Sequence, residues 1–112
     1  MILDTSVVVE RVKGREPIEE NITAVTLVEY PRIVYYKHFT GSVIFPIKGD
    51  YLLAHRLQLA LLKMGRPQAF SDLLTAAVVV GRGEELSTYD EDFKQISEAA
   101  EKMGLIIRLH KP

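Results

Sequence analysis

The chain has 112 residues, no cysteine, a formal net charge of −1 and 47% hydrophobic residues, which is typical of a globular domain of ordinary size. The absence of cysteine excludes disulfides and thiolate metal sites, and no apolar run approaches the roughly 18 residues of a membrane-spanning helix. The near-neutral charge gives no global basic signature of nucleic-acid binding, although a local basic patch is compatible with it.

Short apolar runs predict five β-strands. In chain order they cover residues 1–4, 22–25, 43–45, 85–88 and 105–109. The stretches between them predict helices over 6–13, near Glu16-Pro17, and over 26–38, 50–64, 70–80 and 97–102. Pro31 should kink or restart the helix at 26–38, because proline lacks the N–H donor and its ring clashes with the preceding turn.

This alternation of strands and helices predicts the fold class. It is typical of a single α/β domain over residues 1–112, with one central, mostly parallel five-stranded sheet and helices on both faces. The helix at 70–80 is apolar around its whole circumference, so we expect it to be buried. The helix at 50–64 carries more apolar surface than one core contact needs, which predicts a contact with another chain. Its leucines are Leu52, Leu53, Leu57, Leu59, Leu61 and Leu62.

Four isolated acids, Asp4, Glu29, Asp72 and Asp90, lie where predicted strands end or where helices begin. In a parallel α/β sheet these positions share one edge, and ligands bind there. Several carboxylates in one cleft repel each other, so they are kept where a cation binds. With no cysteine and no histidines at ligand spacing, the oxygen donors predict Mg²⁺ or Mn²⁺. Such a site suits phosphodiester hydrolysis.

Each acid also has a purely structural explanation at a helix start. Asp4 could cap the helix at 6–13, and Asp72 would complement the dipole of its own helix. The pairs Thr26–Glu29 and Asp92–Gln95 both have the spacing of a capping box. The acids taken together favour a site, because the helix of Asp72 has no polar face and its carboxylate should point into a cleft.

Four segments resemble the motifs of PIN-domain ribonucleases of the small VapC toxin type. They are MILDTSV at 1–7, TAVTLVEY at 23–30, SDLLTAA at 71–77 and STYDEDF at 87–93, in the family's order and over nearly the whole chain. The resemblance implies a Mg²⁺- or Mn²⁺-dependent endoribonuclease that is usually dimeric and is inhibited by a cognate VapB-like antitoxin. The segment between Glu29 and the strand at 43 is shorter than the family's usual helical excursion.

The resemblance also implies roles for individual residues. The catalytic acids would be Asp4, Glu29, Asp72 and Asp90, with Asp4, Asp72 and Asp90 as metal ligands. Asp92 would be an accessory acid, and the hydroxyls of Thr5, Ser6 and Thr88 would orient carboxylates or water. Glu91 is expected to face solvent, and Phe93 is expected to anchor its loop in the core.

Substrate and partner contacts are less sharply defined by the sequence. The candidate phosphate contacts are Arg11, Lys13, Arg15 and Arg32, which equally fit solvated helix ends. The aromatic residues Tyr30, Tyr35, Tyr36 and Phe39 suit core packing or a partner groove. A PIN nuclease in RNA processing outside a toxin system, and a catalytically weak PIN-like binding module, are the alternative functions. Without cysteine or a signal peptide, we expect a cytoplasmic protein.

Overall fold

The computed structural model describes all 112 residues as an α/β protein of short strands and longer helices. In chain order the elements are β1 (Ile2–Leu3), α1 (Thr5–Lys13), β2 (Ile22–Thr23), α2 (Ala24–Glu29), a 3₁₀ helix (Pro31–Tyr35), β3 (Val43–Ile44), α3 (Lys48–Lys63), α4 (Phe70–Gly81), β4 (Glu85–Ser87), α5 (Asp92–Lys102) and β5 (Arg108–His110). None of these helices combines the length and the apolar character that crossing a membrane requires.

All strand pairs are parallel, but the predicted single five-stranded sheet is wrong. Strands β1, β4 and β5 form a three-stranded sheet with β4 in the middle, and β2 and β3 form a separate two-stranded sheet. One isolated bridge between Ile2 and Asn21 links the two. Strands β1 and β2 have only two residues each, and each uses them to pair with β4 and β3 respectively, which leaves this single bridge between the sheets.

Helices cover both faces of β1. Successive side chains of a strand point to opposite faces, so its two residues enter two different cores. Ile2 belongs to the apolar core formed with α3, α4 and α5, whereas Leu3 packs with Val7 and Val8 of α1 in a second, smaller core. Both strand residues are fully buried. Helix α4 is buried from Leu73 to Val79, as its apolar sequence predicts.

Two predicted helices differ from the observed ones. Helix α5 begins at Asp92 rather than at residue 97, because Phe93, Ile96 and Ala100 have helical spacing and are all fully buried. No helix forms near Glu16-Pro17, where Ile18 instead pairs with Phe39 in an isolated bridge.

The other differences between predicted and observed elements lie at their ends, next to turns. Helix α2 ends at Glu29 and the 3₁₀ helix starts at Pro31, which confirms the predicted restart. Strand β5 covers Arg108–His110 rather than 105–109, after a turn in which Gly104 has a φ of +78°. Only glycine adopts such a backbone readily.

A buried ion pair holds the start of α3 against the end of α4. The guanidinium of Arg82 donates to both carboxylate oxygens of Asp50 at 3.0 and 3.1 Å, and to the carbonyl of Phe45 at 3.2 Å. Asp50 is only 3% exposed and also accepts a hydrogen bond from the N–H of Ile47 at 2.8 Å. Because α4 carries Asp72 near its other end, this ion pair helps to position the predicted site.

Removing Arg82 should therefore destabilise the fold strongly. Arg82→Ala leaves the buried carboxylate of Asp50 without its cation, and we expect the free energy of unfolding to fall by about 3 kcal/mol. Arg66→Ala is the control, since Arg66 pairs with Glu98 at 3.5 Å with both side chains more than half exposed, and should lose at most about 1 kcal/mol. Urea denaturation measures both values, and equal losses would contradict the assignment.

Candidate metal centre

Three carboxylates meet where α4 and α5 begin. One carboxylate oxygen from each of Asp72, Asp90 and Asp92 lies within 4.8 Å of the others. Asp72 is in the first turn of α4, Asp90 follows β4 and Asp92 starts α5. Asp72 and Asp90 are half-buried and Asp92 is exposed. We call this group the acidic triad, and its oxygens are close enough to share one cation.

Asp4 lies outside the triad and is held by hydroxyl groups. Its Oδ2 accepts hydrogen bonds from Ser6 Oγ at 3.0 Å and from Thr88 Oγ1 at 2.8 Å. These hydroxyls in turn accept from the N–H groups of Tyr89 at 3.2 Å and Asp90 at 2.9 Å. The network ties the end of β1 to the loop after β4. It thereby fixes Asp4 relative to Asp90, and the role of Asp4 as a metal ligand stays a prediction.

Glu29 is held by a second chain of hydroxyls. Thr5 donates to Glu29 Oε1 at 2.8 Å, and Thr5 and Thr26 lie 2.8 Å apart through their hydroxyl oxygens. Since the single proton of Thr5 is used on Glu29, Thr26 must be the donor to Thr5. The sequence predicted Thr26 only as a capping-box residue and missed this role, although its position one helical turn before Glu29 is the signal that could have found it.

No basic side chain compensates the charge of these acids. None of the ion pairs of the chain involves Asp4, Glu29 or a member of the acidic triad. Burial, followed by the negative charges of Asp90, Asp4, Asp92 and Glu29, raises the pKa of Asp72 to about 6. Burial also raises the pKa of Asp4, against the lowering effect of the hydrogen bonds from Thr88 and Ser6. The predicted acids therefore all act electrostatically on Asp72.

Helix capping does not account for most of these acids. Helices α1, α4 and α5 have no side-chain cap hydrogen bond. A capping box between Thr26 and Glu29 is wrong, because α2 starts at Ala24 and Thr23 accepts from the N–H of Val25. Of these acids only Asp90 accepts a hydrogen bond from a backbone N–H in the first turn of a helix, from Asp92 to its Oδ1 at 2.9 Å. Negative charge that pairs with no cation of the chain is what a bound metal ion would neutralise.

The other predicted residues are placed as follows. Arg11 forms a bidentate ion pair with Glu20, in which its two terminal nitrogens donate to the two carboxylate oxygens at 2.7 and 2.8 Å. Lys13 pairs with Glu10 at the surface. Arg15 and Arg32 are exposed and form no ion pair, so their contact with phosphate stays a prediction.

The two residues that flank Asp92 lie as expected. Glu91 is exposed and pairs with Lys94 at 2.6 Å, which lowers the pKa of its carboxyl. Phe93 is fully buried in the core with α3 and α4.

Solved structures of VapBC complexes share this fold. A chain of the DNA-bound VapBC from Salmonella typhimurium matches with a TM-score of 0.75 and 17% identity, over 98% of this chain and 96% of that chain. A chain of VapBC2 from Rickettsia felis, bound to a DNA fragment from their promoter, matches with a TM-score of 0.74 and 15% identity, over 98% of this chain and 96% of that chain. A chain of VapBC-5 from Mycobacterium tuberculosis, a member of the VapBC family of toxin–antitoxin systems, matches with a TM-score of 0.71 and 22% identity, over 98% of this chain and 94% of that chain.

No protein-family model and no curated protein sequence matches the chain. The likeness to the VapBC structures extends over nearly the full length of both chains and confirms the VapC-type fold that the sequence motifs implied.

Neutralising Asp72 should stabilise the protein when no metal is present. We expect Asp72→Asn to relieve about 1.5 kcal/mol of burial and repulsion, after allowing for solvent screening of a half-buried group. The variant also loses the favourable interaction of Asp72 with the dipole of α4, which costs about 0.5 kcal/mol. The free energy of unfolding at pH 7 should therefore rise by about 1 kcal/mol. Thermal melts in EDTA measure it, with Glu91→Gln as a control that should gain nothing.

The gain should also depend on pH in a defined direction. Because the pKa of Asp72 is raised from 3.8 to about 6, the folded state binds more protons than the unfolded state between these values. The wild type therefore loses stability as pH rises through this range, while Asp72→Asn does not. The advantage of the variant should grow between pH 4 and pH 7. A variant that is less stable than the wild type at pH 7 would mean that Asp72 serves its helix alone.

Proposed function

We propose that the chain is a metal-dependent endoribonuclease and the cytoplasmic toxin component of a VapBC-type toxin–antitoxin system. The observation that carries the proposal is the acidic triad, whose carboxylates meet without a basic partner. A donor set of oxygens alone fits Mg²⁺ or Mn²⁺. The full-length likeness to chains of VapBC complexes supports the toxin assignment.

The residues divide the work of hydrolysis in this proposal. Asp72, Asp90 and Asp92 would hold the ion, and Asp4 would add its charge from the end of β1. The ion, when bound, would supply Lewis-acid chemistry that lowers the pKa of a water and neutralises charge on the phosphodiester. Thr5 occupies Oε1 of Glu29, which leaves Oε2 to accept a proton from a water molecule at the same sheet edge. Ser6 and Thr88 keep Asp4 oriented throughout.

The leucines of α3 support a homodimer. Leu57 and Leu61 are fully buried in the core, whereas Leu52, Leu59 and Leu62 are between 48% and 56% exposed. The three exposed leucines lie seven and three residues apart, which places them on one face of the helix. A second copy that presents the same face would bury all of them around a two-fold axis.

The segment after Glu29 supports a VapB-like antitoxin as partner. Val34 and Tyr35 of the 3₁₀ helix are 60% and 87% exposed, while the hydroxyl of Tyr36 donates to the carbonyl of Glu16 and serves the fold. An apolar antitoxin segment would cover Val34 and Tyr35. A basic side chain of that segment would then supply the charge that the acidic triad lacks and block access of RNA.

Loss of a triad carboxylate should abolish cleavage. Asp72→Asn and Asp90→Asn should each lower the Mn²⁺-dependent cleavage of single-stranded RNA by more than about 100-fold, because each removes charge that the transition state requires. Glu91→Gln, an exposed neighbour outside the triad, should keep near wild-type activity. The assay uses purified protein and a labelled RNA. Cleavage that persists in EDTA, or in Asp90→Asn, would refute the metal-dependent mechanism.

A charge on the exposed leucine face should disrupt the homodimer. Leu59→Glu places a carboxylate where two apolar faces would meet, and light scattering should then report a monomer at concentrations where the wild type is dimeric. Lys13→Glu makes a comparable charge change at an exposed position on α1, away from the three leucines, and should leave the dimer intact. A wild type that is monomeric at high micromolar concentration would contradict the dimer.

A further inference from the structure

We infer that the cleft beside the acidic triad contains a stacking subsite for one unpaired nucleobase, formed by Tyr51 of α3 and Phe70 of α4. The inference rests on the proposed ribonuclease function and specifies its substrate: the RNA is single-stranded next to the bond that is cut.

The rings of Tyr51 and Phe70 lie side by side and face solvent. Their centroids are 6.3 Å apart with an angle of 32° between the ring planes, and the residues are 48% and 66% exposed. Aromatic side chains dominate core energetics when they are buried. Two neighbouring rings that stay open to water contribute little to the core, and they offer flat apolar surface to a ligand.

The two rings line a cavity of about 280 Å³ whose remaining wall is largely apolar. Its apolar lining includes Val25, Val28, Pro46 and Leu74. This volume is just below the roughly 300–1,000 Å³ of typical small-molecule pockets. The cavity is therefore of the size that accepts one flat group, and it is too small to bury a helix of a partner protein.

The cavity borders the acids. Glu29 lines the cavity, and Ser71, which also lines it, directly precedes Asp72 in the chain. Phe70 and Asp72 lie in the first turn of α4, where residues two apart point to different sides of the helix, and Glu29 is the acid on the cavity side. An RNA strand whose phosphate lies at the acidic triad would therefore pass Glu29 to place an adjacent base at Tyr51 and Phe70.

A nucleobase fits this cavity better than an aliphatic side chain, because every base has a π-face that stacks on aromatic rings regardless of sequence. A cation for the accompanying phosphate is close in the chain. Lys48 is exposed, forms no ion pair and lies one turn before Tyr51 on α3, so both residues share a helix face. Bases paired in a double helix are stacked on each other and cannot enter.

The test uses a short single-stranded RNA that carries 2-aminopurine, whose fluorescence is quenched by stacking, with Ca²⁺ in place of Mn²⁺ to suppress cleavage. Binding to the wild type should quench the fluorescence, with the probe base moved along the RNA to find the stacked position. Tyr51→Leu and Phe70→Leu keep an apolar side chain without a ring; each should abolish the quenching and raise the dissociation constant about tenfold. Ile106→Ala, an exposed apolar residue outside the cavity, is the control and should bind as the wild type does.

The outcomes separate the subsite from the proposed function. Wild-type RNA cleavage in Mn²⁺ is measured in parallel: absence of cleavage contradicts the nuclease, whereas cleavage with unchanged quenching in Tyr51→Leu overturns the subsite alone. Displacement of the probe by double-stranded RNA at equal affinity would also overturn it. A change of oligomeric state in Tyr51→Leu with unaltered RNA binding would assign the cavity to a contact between copies and overturn it as well.

Discussion

Uncompensated negative charge at one sheet edge is the constraint on which the site of this protein depends. Its effect is largest at Asp72, where burial and four neighbouring carboxylates raise the pKa to about 6. No Lys or Arg of the chain relieves this repulsion. The hydroxyls of Ser6 and Thr88 hold Asp4 in place despite its burial, and Thr5 holds Glu29. Such an arrangement is preorganised for a cation that the chain itself does not provide.

The rest of the fold supplies the rigidity that this charge requires. Ile2 and Leu3 bury their side chains on opposite faces of β1, so the strand that leads to Asp4 is packed from both sides. Helix α4 is buried almost throughout and is held at its far end by the ion pair of Asp50 and Arg82. The acids therefore project from packed elements, and the free energy of the two cores offsets their mutual repulsion.

The sequence predicts that the acids gather at one edge of the sheet, but it does not predict which acids come closest or which strands pair. The order of strands and helices follows from local apolar spacing, and the convergence of the acids follows from parallel topology alone. Which carboxylates come closest depends on where α5 begins. The spacing of Phe93 and Ile96 places that start at Asp92, and this brings Asp92 into the acidic triad. The division of the sheet depends on long-range pairing between very short strands, which local patterns do not encode.

Carbon-13 NMR titration of the side-chain carboxyl of Asp72, with and without Mg²⁺, measures the central quantity directly. In EDTA the pKa of Asp72 should be about 6, and saturating Mg²⁺ should lower it below the ordinary value of 3.8, because a bound cation favours the ionised carboxylate. A pKa near 3.8 in EDTA would show that the acids do not act on one another as described. A raised pKa that Mg²⁺ leaves unchanged would show that they form no metal site.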